Sequence, residues 1–173
     1  EGPTRGGPVK SCRRPLWVDE AGIPRVTPPR NLRSDDAECL YPGTGFFEGT
    51  TATEGRGTDD PFTLIGAWWM NDNAALATEL NALSLPGVRF EATTRTIEAG
   101  YEFGGETIPM LKVHATNRNA SRPVALGSRM LHALYAQHPD TLHWTCASQQ
   151  RPTAPTDTTT PGERGPAERE RTG

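Results

Sequence analysis

Residues 62–94 read FTLIGAWWMNDNAALATELNALSLPGVRFEATT and predict a strand, a helix and a second strand in succession. Residues 62–69 form a short apolar run, which is typical of a buried strand. Residues 74–83 carry three leucines on one helical face, and the polar residues just before them can cap that helix. A Pro-Gly pair then ends the helix, and residues 88–94 alternate as a strand does. The stretch therefore predicts a mixed α/β domain.

The chain after this stretch continues the same pattern. Residues 103–106 (FGGE) are typical of a hairpin turn, and residues 110–116 (MLKVHAT) predict the next strand. Pro123 suits the first turn of a helix, and residues 124–137 place apolar side chains at helical spacing. The predicted fold class is therefore α/β, in the mixed α+β sense. It comprises a small mixed sheet and two main helices in the order β-α-β-β-α.

The predicted domain occupies residues 16–145. Residues 1–15 are rich in glycine, proline and basic residues, so we expect a disordered or remnant N-terminal segment. Residues 146–173 contain no aromatic residue and no Leu, Ile or Val, which predicts a disordered tail. Three prolines in residues 22–36 predict an extended surface loop, and Pro42 argues against a regular central strand after it.

Composition and charge exclude several classes of protein. The chain has 173 residues, including 18 glycines and 16 prolines, an excess that argues against a coiled coil or a helical repeat. Its 18 Lys and Arg against 21 Asp and Glu argue against a nucleic-acid partner. No apolar run is long enough to predict a membrane span, and the first residues lack the apolar stretch of a secretion signal.

The cysteines and histidines predict neither a metal site nor a cofactor. Cys12, Cys39 and Cys146 are widely spaced and form no CxxC motif. A disulfide, for example between Cys12 and Cys39, is one alternative, and free or buried thiols are the other. The four histidines do not show the spacing of a zinc site.

The glycine-rich loop 48–62 is the strongest candidate for a functional site. Glu48 and Glu54 are paired carboxylates, which glycoside hydrolysis uses as acid and as base or nucleophile. Glycines allow close backbone approach to a ligand, and Arg56 supplies a directional donor. The candidate hydroxyl contacts are Thr50 and Thr58. The alternative is a solvated turn-rich loop that contains one Glu–Arg pair.

The adjacent pair Trp68-Trp69 is a candidate platform for stacking a sugar ring, because an aromatic face suits such rings. The alternative is that at least one of the two packs in the core. Trp68 is retained as a candidate substrate-binding residue.

Several of these motifs occur together in a known family. YPGT at 41–44, FEGT at 47–50, EGRGT at 54–58, PF at 61–62 and IGA at 65–67 follow one another in this order. In this respect residues 17–144 resemble the C-terminal part of the NamZ-type exo-β-N-acetylmuramidases, a family of bacterial glycoside hydrolases.

The resemblance implies a function and a set of site residues. Family members release N-acetylmuramic acid from the non-reducing ends of peptidoglycan fragments, in a cleft between a Rossmann-like N-terminal domain and a smaller C-terminal domain. It implies that Glu48 and Glu54 lie near the substrate as catalytic candidates. Arg56 would bind the lactyl carboxylate of the muramic acid. An equal alternative is that Arg56 fixes the loop by pairing with Glu54.

The chain also departs from the family pattern. Too few residues precede Trp17 to hold the Rossmann-like half, so we expect that half to be missing from this chain. Trp68 also stands where the family usually has proline. We therefore expect a truncated enzyme, inactive without a separate Rossmann-like domain. The alternatives are a non-catalytic module that binds muramyl sugars and a decayed fragment, whose exposed docking face would include Phe46-Phe47 and Trp68-Trp69. The family pattern implies an extracellular or periplasmic location.

Overall fold

The computed structural model describes residues 17–20 and 31–145. The predicted terminal segments, residues 1–15 and 146–173, and most of the predicted loop 22–36 lie outside these ranges. In chain order the elements are a 3-10 turn Val18–Glu20, α1 Asp35–Thr44, a 3-10 turn Gly45–Gly49, β1 Leu64–Gly66, α2 Asn73–Ala82, β2 Val88–Thr96, β3 Thr107–Ala115 and α3 Pro123–Gln137.

The three strands form one antiparallel sheet in the order β1-β3-β2. Ile65 of β1 lies opposite Leu111 of β3, and Phe90 of β2 lies opposite Val113. The mixed α/β class and the order β-α-β-β-α are thus confirmed, with an additional helix in front. The first strand is shorter than the predicted 62–69, because Phe62 has a positive φ of 64° and Trp68 lies in a turn.

The main core lies between the helices and one face of the sheet. Side chains alternate along a strand, so Phe90 on β2 and Leu111 and Val113 on β3 point to the same side. They pack with leucines and methionines of the helices. The helix residues in this core that are fully shielded from solvent are Leu40, Leu76, Leu80, Met130 and Leu134.

A second, smaller cluster lies on the opposite face of the sheet. Leu64, Ile108 and Met110 belong to it and alternate along their strands with residues of the main core. Ile97, just after β2, completes the buried set, and Tyr101 packs against it from the hairpin between β2 and β3. This second cluster supports the loop that contains the candidate site.

The helix α1 was not predicted, and it replaces the end of the expected extended loop. Its first turn is capped by Ser34, whose Oγ accepts a hydrogen bond of 3.1 Å from the N–H of Ala37. Pro42 lies inside the helix near its C-terminal end. Gly43 touches α3 so closely that an added Cβ would lie 1.9 Å from the carbonyl oxygen of Pro123.

The described cysteine lies in α1. Cys39 is a buried free thiol, and burial raises its pKa. The other two cysteines, including Cys12 of the alternative disulfide, lie outside the described residues.

Candidate functional site

Backbone hydrogen bonds fix the glycine-rich loop on the sheet. Thr53 and Gly66 exchange two of them, at 2.8 and 3.0 Å, so the loop continues the sheet beyond β1. The N–H of Phe62 donates to the carbonyl of Glu54 at 2.7 Å and closes the loop. The N–H of Glu98 donates to the carbonyl of Gly57 at 2.8 Å. Backbone hydrogen bonds to Gly66, Phe62 and Glu98 therefore hold the loop in one conformation.

Two glycines allow this conformation. We refer to residues 54–58 as the EGRGT loop. Gly55 has a φ of 82° and Gly57 a φ of 79°, values that residues with a side chain rarely adopt. An added Cβ on Gly57 would lie 2.8 Å from side-chain atoms of Ile97 and Tyr101. The glycines thus let the EGRGT loop reverse direction and lie directly on the second cluster.

The loop brings the three charged candidates together. Nη2 of Arg56 donates to Oε1 of Glu48 at 2.7 Å, and Nε of Arg56 donates to Oε1 of Glu54. The guanidinium also lies over the ring of Phe62, 5.3 Å from its centroid. Tyr41 meets the same ring edge-on, with centroids 4.8 Å apart. We call these five residues the Arg56 cluster.

Exposure divides the cluster into an inner and an outer carboxylate. The side chain of Glu54 is 6% exposed, whereas that of Glu48 is 49% exposed and that of Arg56 34%. A ligand can therefore reach Glu48 and part of the guanidinium but not Glu54. The pairing of Arg56 with Glu54, which the sequence left open, is present in the structure.

The electrostatics of the cluster follow from this pairing. Burial alone would lower the pKa of Arg56, but the hydrogen bond and charge of Glu54, with the charge of Glu48, raise it above its usual value. Arg56 therefore keeps its positive charge.

Desolvation, with a contribution from the charge of Glu54, raises the pKa of Glu102 in the hairpin between β2 and β3. Glu102 is therefore a carboxyl group more easily protonated than usual, and no motif in the sequence points to it.

The two candidate threonines are buried in the loop. Thr58 is 5% exposed, and its hydroxyl donates to the carbonyl of Gly55 at 2.6 Å. Thr50 is 4% exposed, and its hydroxyl donates to the carbonyl of Phe47 at 2.8 Å. Both hydroxyls donate to the loop's own backbone, so in this conformation both residues brace the loop.

The aromatic candidates separate into exposed and buried residues. Trp68 is 59% exposed, whereas Trp69 is buried and packs against His138 with ring centroids 4.9 Å apart. Core packing of one member of the pair is therefore confirmed. Phe47 is fully buried, so it does not belong to an exposed docking face. Among the described residues, Trp68 makes no ring contact with the Arg56 cluster.

Sequence reasoning did not assign Tyr41 and Phe62 to the site. Both occur in motifs quoted above, YPGT and PF, but a motif does not show which side chains meet. Within residues 17–20 and 31–145, no group of three or more His, Cys, Asp or Glu is arranged to hold a metal ion. No helix in that part of the chain is long and apolar enough to cross a membrane.

Known proteins resemble this chain in sequence and in fold. Residues 39–163 match the family described as exo-beta-N-acetylmuramidase NamZ, C-terminal. The peptidoglycan beta-N-acetylmuramidase NamZ of Bacillus subtilis (strain 168) is 32% identical over 132 residues, which are 76% of this chain and 31% of the relative. A DUF1343 family protein from Bacteroides fragilis has a similar fold, with a TM-score of 0.67 and 23% identity, covering 75% of this chain and 33% of that protein. The chain thus matches about a third of the length of each relative.

Proposed function

This chain belongs to the family of C-terminal domains of NamZ exo-β-N-acetylmuramidases, and we propose that it forms one wall of a cleft that binds N-acetylmuramic acid. The sugar would stand at the non-reducing end of a peptidoglycan fragment. The observation that carries the proposal is the Arg56 cluster, in which a rigid loop presents a guanidinium and a carboxylate to solvent. The Bacillus subtilis relative is named for activity on peptidoglycan.

Arg56 would recognise the lactyl carboxylate of the sugar. Nε and Nη2 are engaged by the two glutamates, whereas Nη1 makes no hydrogen bond to any of the described residues. A guanidinium with an unused edge can bind a further carboxylate, and its planar geometry favours that acceptor. Because Glu48 and Glu54 already surround the guanidinium with two negative charges, a negatively charged ligand would bind weakly to this domain alone.

The two glutamates would have different roles. Glu48 is the candidate catalytic residue, because its exposed carboxylate can touch the substrate. Glu54 is buried and holds Nε of Arg56, so it would act by positioning that side chain. Thr50 and Thr58 would support the loop, and Trp68 would add a stacking surface elsewhere on the cleft wall.

Hydrolysis would need groups from a second domain. Glycosidases of the common type use two carboxyl groups on either side of the scissile bond. Here both candidate glutamates share one arginine and lie on the same side. A separate Rossmann-like domain would provide the opposite wall, and this chain would be inactive without it.

The test measures release of the chromophore from a 4-nitrophenyl N-acetylmuramide. We expect no release by the chain alone and release after a Rossmann-like N-terminal domain from a full-length relative is added or fused. In the active combination, Glu48→Gln should lower kcat at least about tenfold, because a group in contact with the reacting sugar is lost. Glu106→Gln, an exposed glutamate outside the cluster, is the matched control. Full activity of the isolated chain would refute the dependence on a second domain.

A non-catalytic module that binds muramyl sugars is the second candidate function. One observation favours it. All five residues of the Arg56 cluster belong to this chain, so the cluster forms without a second domain. Titration calorimetry with N-acetylmuramic acid would then show heat for the isolated chain. The heat should disappear in Arg56→Gln, and no hydrolysis should follow when the second domain is supplied.

A further inference from the structure

We propose that the groove beside α3 that contains Trp144 binds a proline-rich segment of this chain's own tail, residues 152–155. We call the two the Trp144 groove and the PTAP segment. The groove has a volume of about 310 Å³ and is lined by the C-terminal half of α3 and by residues 142–144. Its walls include Leu131, His132, Tyr135, Leu142 and Trp144.

The Trp144 groove exposes two large aromatic side chains. Trp144 is 70% exposed and Tyr135 57% exposed, whereas Leu142 is buried. Large aromatic side chains bury most of their area in most proteins, so two exposed rings in one groove indicate a binding surface. Grooves lined by aromatic residues are the surfaces that recognise proline-rich segments with the spacing PxxP.

The other groups in the groove suit the same kind of ligand. No Asp, Glu, Lys or Arg is among the described residues that line it. The indole N–H of Trp144 and the hydroxyl of Tyr135 make no hydrogen bond to any described residue. A polyproline II segment leaves its backbone carbonyls free, so these donors can bind them while the rings contact the prolines. The groove therefore favours an uncharged, proline-containing segment.

Backbone contacts hold the groove in place. Thr50 and Trp144 form an antiparallel bridge, and the N–H of Thr145 donates to the carbonyl of Gly49 at 2.8 Å. An added Cβ on Gly49 would lie 3.7 Å from the ring of Trp144, so the indole lies against this backbone. An incoming segment would therefore meet a preformed surface, and binding would cost mainly the ordering of the segment itself.

The position and composition of the tail identify the occupant of the groove. The described chain ends at Thr145, next to Trp144, so the tail begins at the rim of the groove. The family match extends to residue 163 and thus includes the first part of the tail. Within the tail, the spacing PxxP occurs once, in Pro152-Thr153-Ala154-Pro155, and this segment carries no charged residue.

The geometry of the PTAP segment matches the groove. A polyproline II helix has three residues per turn and rises about 3.1 Å per residue, so Pro152 and Pro155 would lie on one face about 9 Å apart. Each proline can then contact one aromatic ring. Residues 146–151 can span up to about 20 Å, which allows the chain to turn back onto the groove. A short linker also gives an effective concentration of the order of millimolar, so a weak contact would form within one molecule.

The first experiment measures NMR nuclear Overhauser contacts in the full chain labelled with ¹³C and ¹⁵N. We expect contacts between the ring protons of Trp144 or Tyr135 and the two prolines of the PTAP segment. The double variant Pro152→Ala/Pro155→Ala should lose them and shift the indole N–H resonance of Trp144. Pro161→Ala/Pro166→Ala, in the same tail, is the matched control and should change neither signal.

The second experiment adds a synthetic peptide of residues 150–157, QRPTAPTD, to the full chain. The peptide should bind the Pro152→Ala/Pro155→Ala chain at least about threefold more tightly than the wild type, because the tail of that variant no longer competes. In that background, Trp144→Ala and, independently, Tyr135→Ala should each weaken binding at least about tenfold. Val124→Ala, at the other end of α3, should leave it unchanged. Circular dichroism verifies that the variants fold.

Each outcome decides the proposal. Contacts between the tail and the groove within one molecule, with tighter peptide binding by the tail variant, support it. Absence of these contacts, or equal peptide binding by the wild type and the tail variant, overturns it. Contacts that form only between labelled and unlabelled copies of the chain also overturn it, because they assign the groove to the tail of a second molecule. No measurement involves a muramyl sugar, so the result is independent of the proposed function.

Discussion

Gly57 sets how closely the EGRGT loop approaches the sheet. Its carbonyl accepts a hydrogen bond from Glu98, and its missing side chain leaves room for Ile97 and Tyr101. This single position therefore determines where the backbone of Arg56 lies. A side chain here would have to adopt a positive φ and would also displace the second cluster.

We predict that Gly57→Ala lowers the free energy of unfolding by about 2–4 kcal/mol. The sum combines about 1 kcal/mol for the left-handed backbone with about 1–3 kcal/mol for overpacking. The control is Gly100→Ala, which also has a positive φ, 96°, but has no atom within 4 Å of the added Cβ. Gly100→Ala should cost only the backbone part. Urea denaturation measures both, and equal losses would contradict the close approach seen at Gly57.

The charged residues of the Arg56 cluster were predictable by type but not by arrangement. Glu48, Glu54 and Arg56 were identifiable from the spacing of charges in a glycine-rich loop, and the structure places all three in one cluster. The buried state of Glu54 was not predictable, because burial depends on how the loop lies on the sheet. The inward-facing hydroxyl of Thr58 depends on the same tertiary contact.

At the scale of elements, the sequence predicted the helices and strands with clear periodicity. The helix α3 was expected with Pro123 in its first turn and residues 124–137 after it, and it spans Pro123–Gln137. The helix α1 was not predicted, because a proline and a glycine near its end are usually signals of a turn. Tertiary packing outweighs that local preference, since Leu40 is fully buried and Gly43 touches α3.

We predict that Gly43→Ala separates α1 from α3 and costs about 3 kcal/mol or more. The added Cβ would meet backbone atoms of Pro123, which cannot rotate away, so one helix must move. Gly45→Ala is the matched control, because its φ is −61° and its nearest contact is the Tyr41 ring at 3.7 Å. Thermal unfolding should show a large fall in Tm for the first variant and almost none for the second. Similar Tm values would contradict the backbone contact between α1 and α3.

At the scale of the molecule, long-range contacts hold both ends of the described chain against its middle. The indole N–H of Trp17 donates to Asn119 at 2.7 Å, and Asp19 pairs with Arg118 at 2.7 Å. At the other end, Trp144 bridges to Thr50. Both ends are thus connected to the central elements by long-range contacts.

We therefore predict one cooperative unfolding transition. Tryptophan fluorescence and far-UV circular dichroism should give the same midpoint in urea, because α1, α2, α3 and all three strands contribute side chains to the main core. Two distinct midpoints would show that part of the chain unfolds independently. Trp69→Phe removes the buried indole and tests which tryptophan reports the transition.

The contact between α1 and α3 also couples Gly43 to Gly127, two positions that are far apart in the chain. An added Cβ on Gly127 would lie 2.3 Å from the carbonyl oxygen of Gly43, so each glycine limits what the other position can become. A relative with a larger residue at one of them must hold its helices farther apart, which removes the restriction at the other. Substitutions at these two positions should therefore appear together across an alignment, although the residues are far apart in the chain.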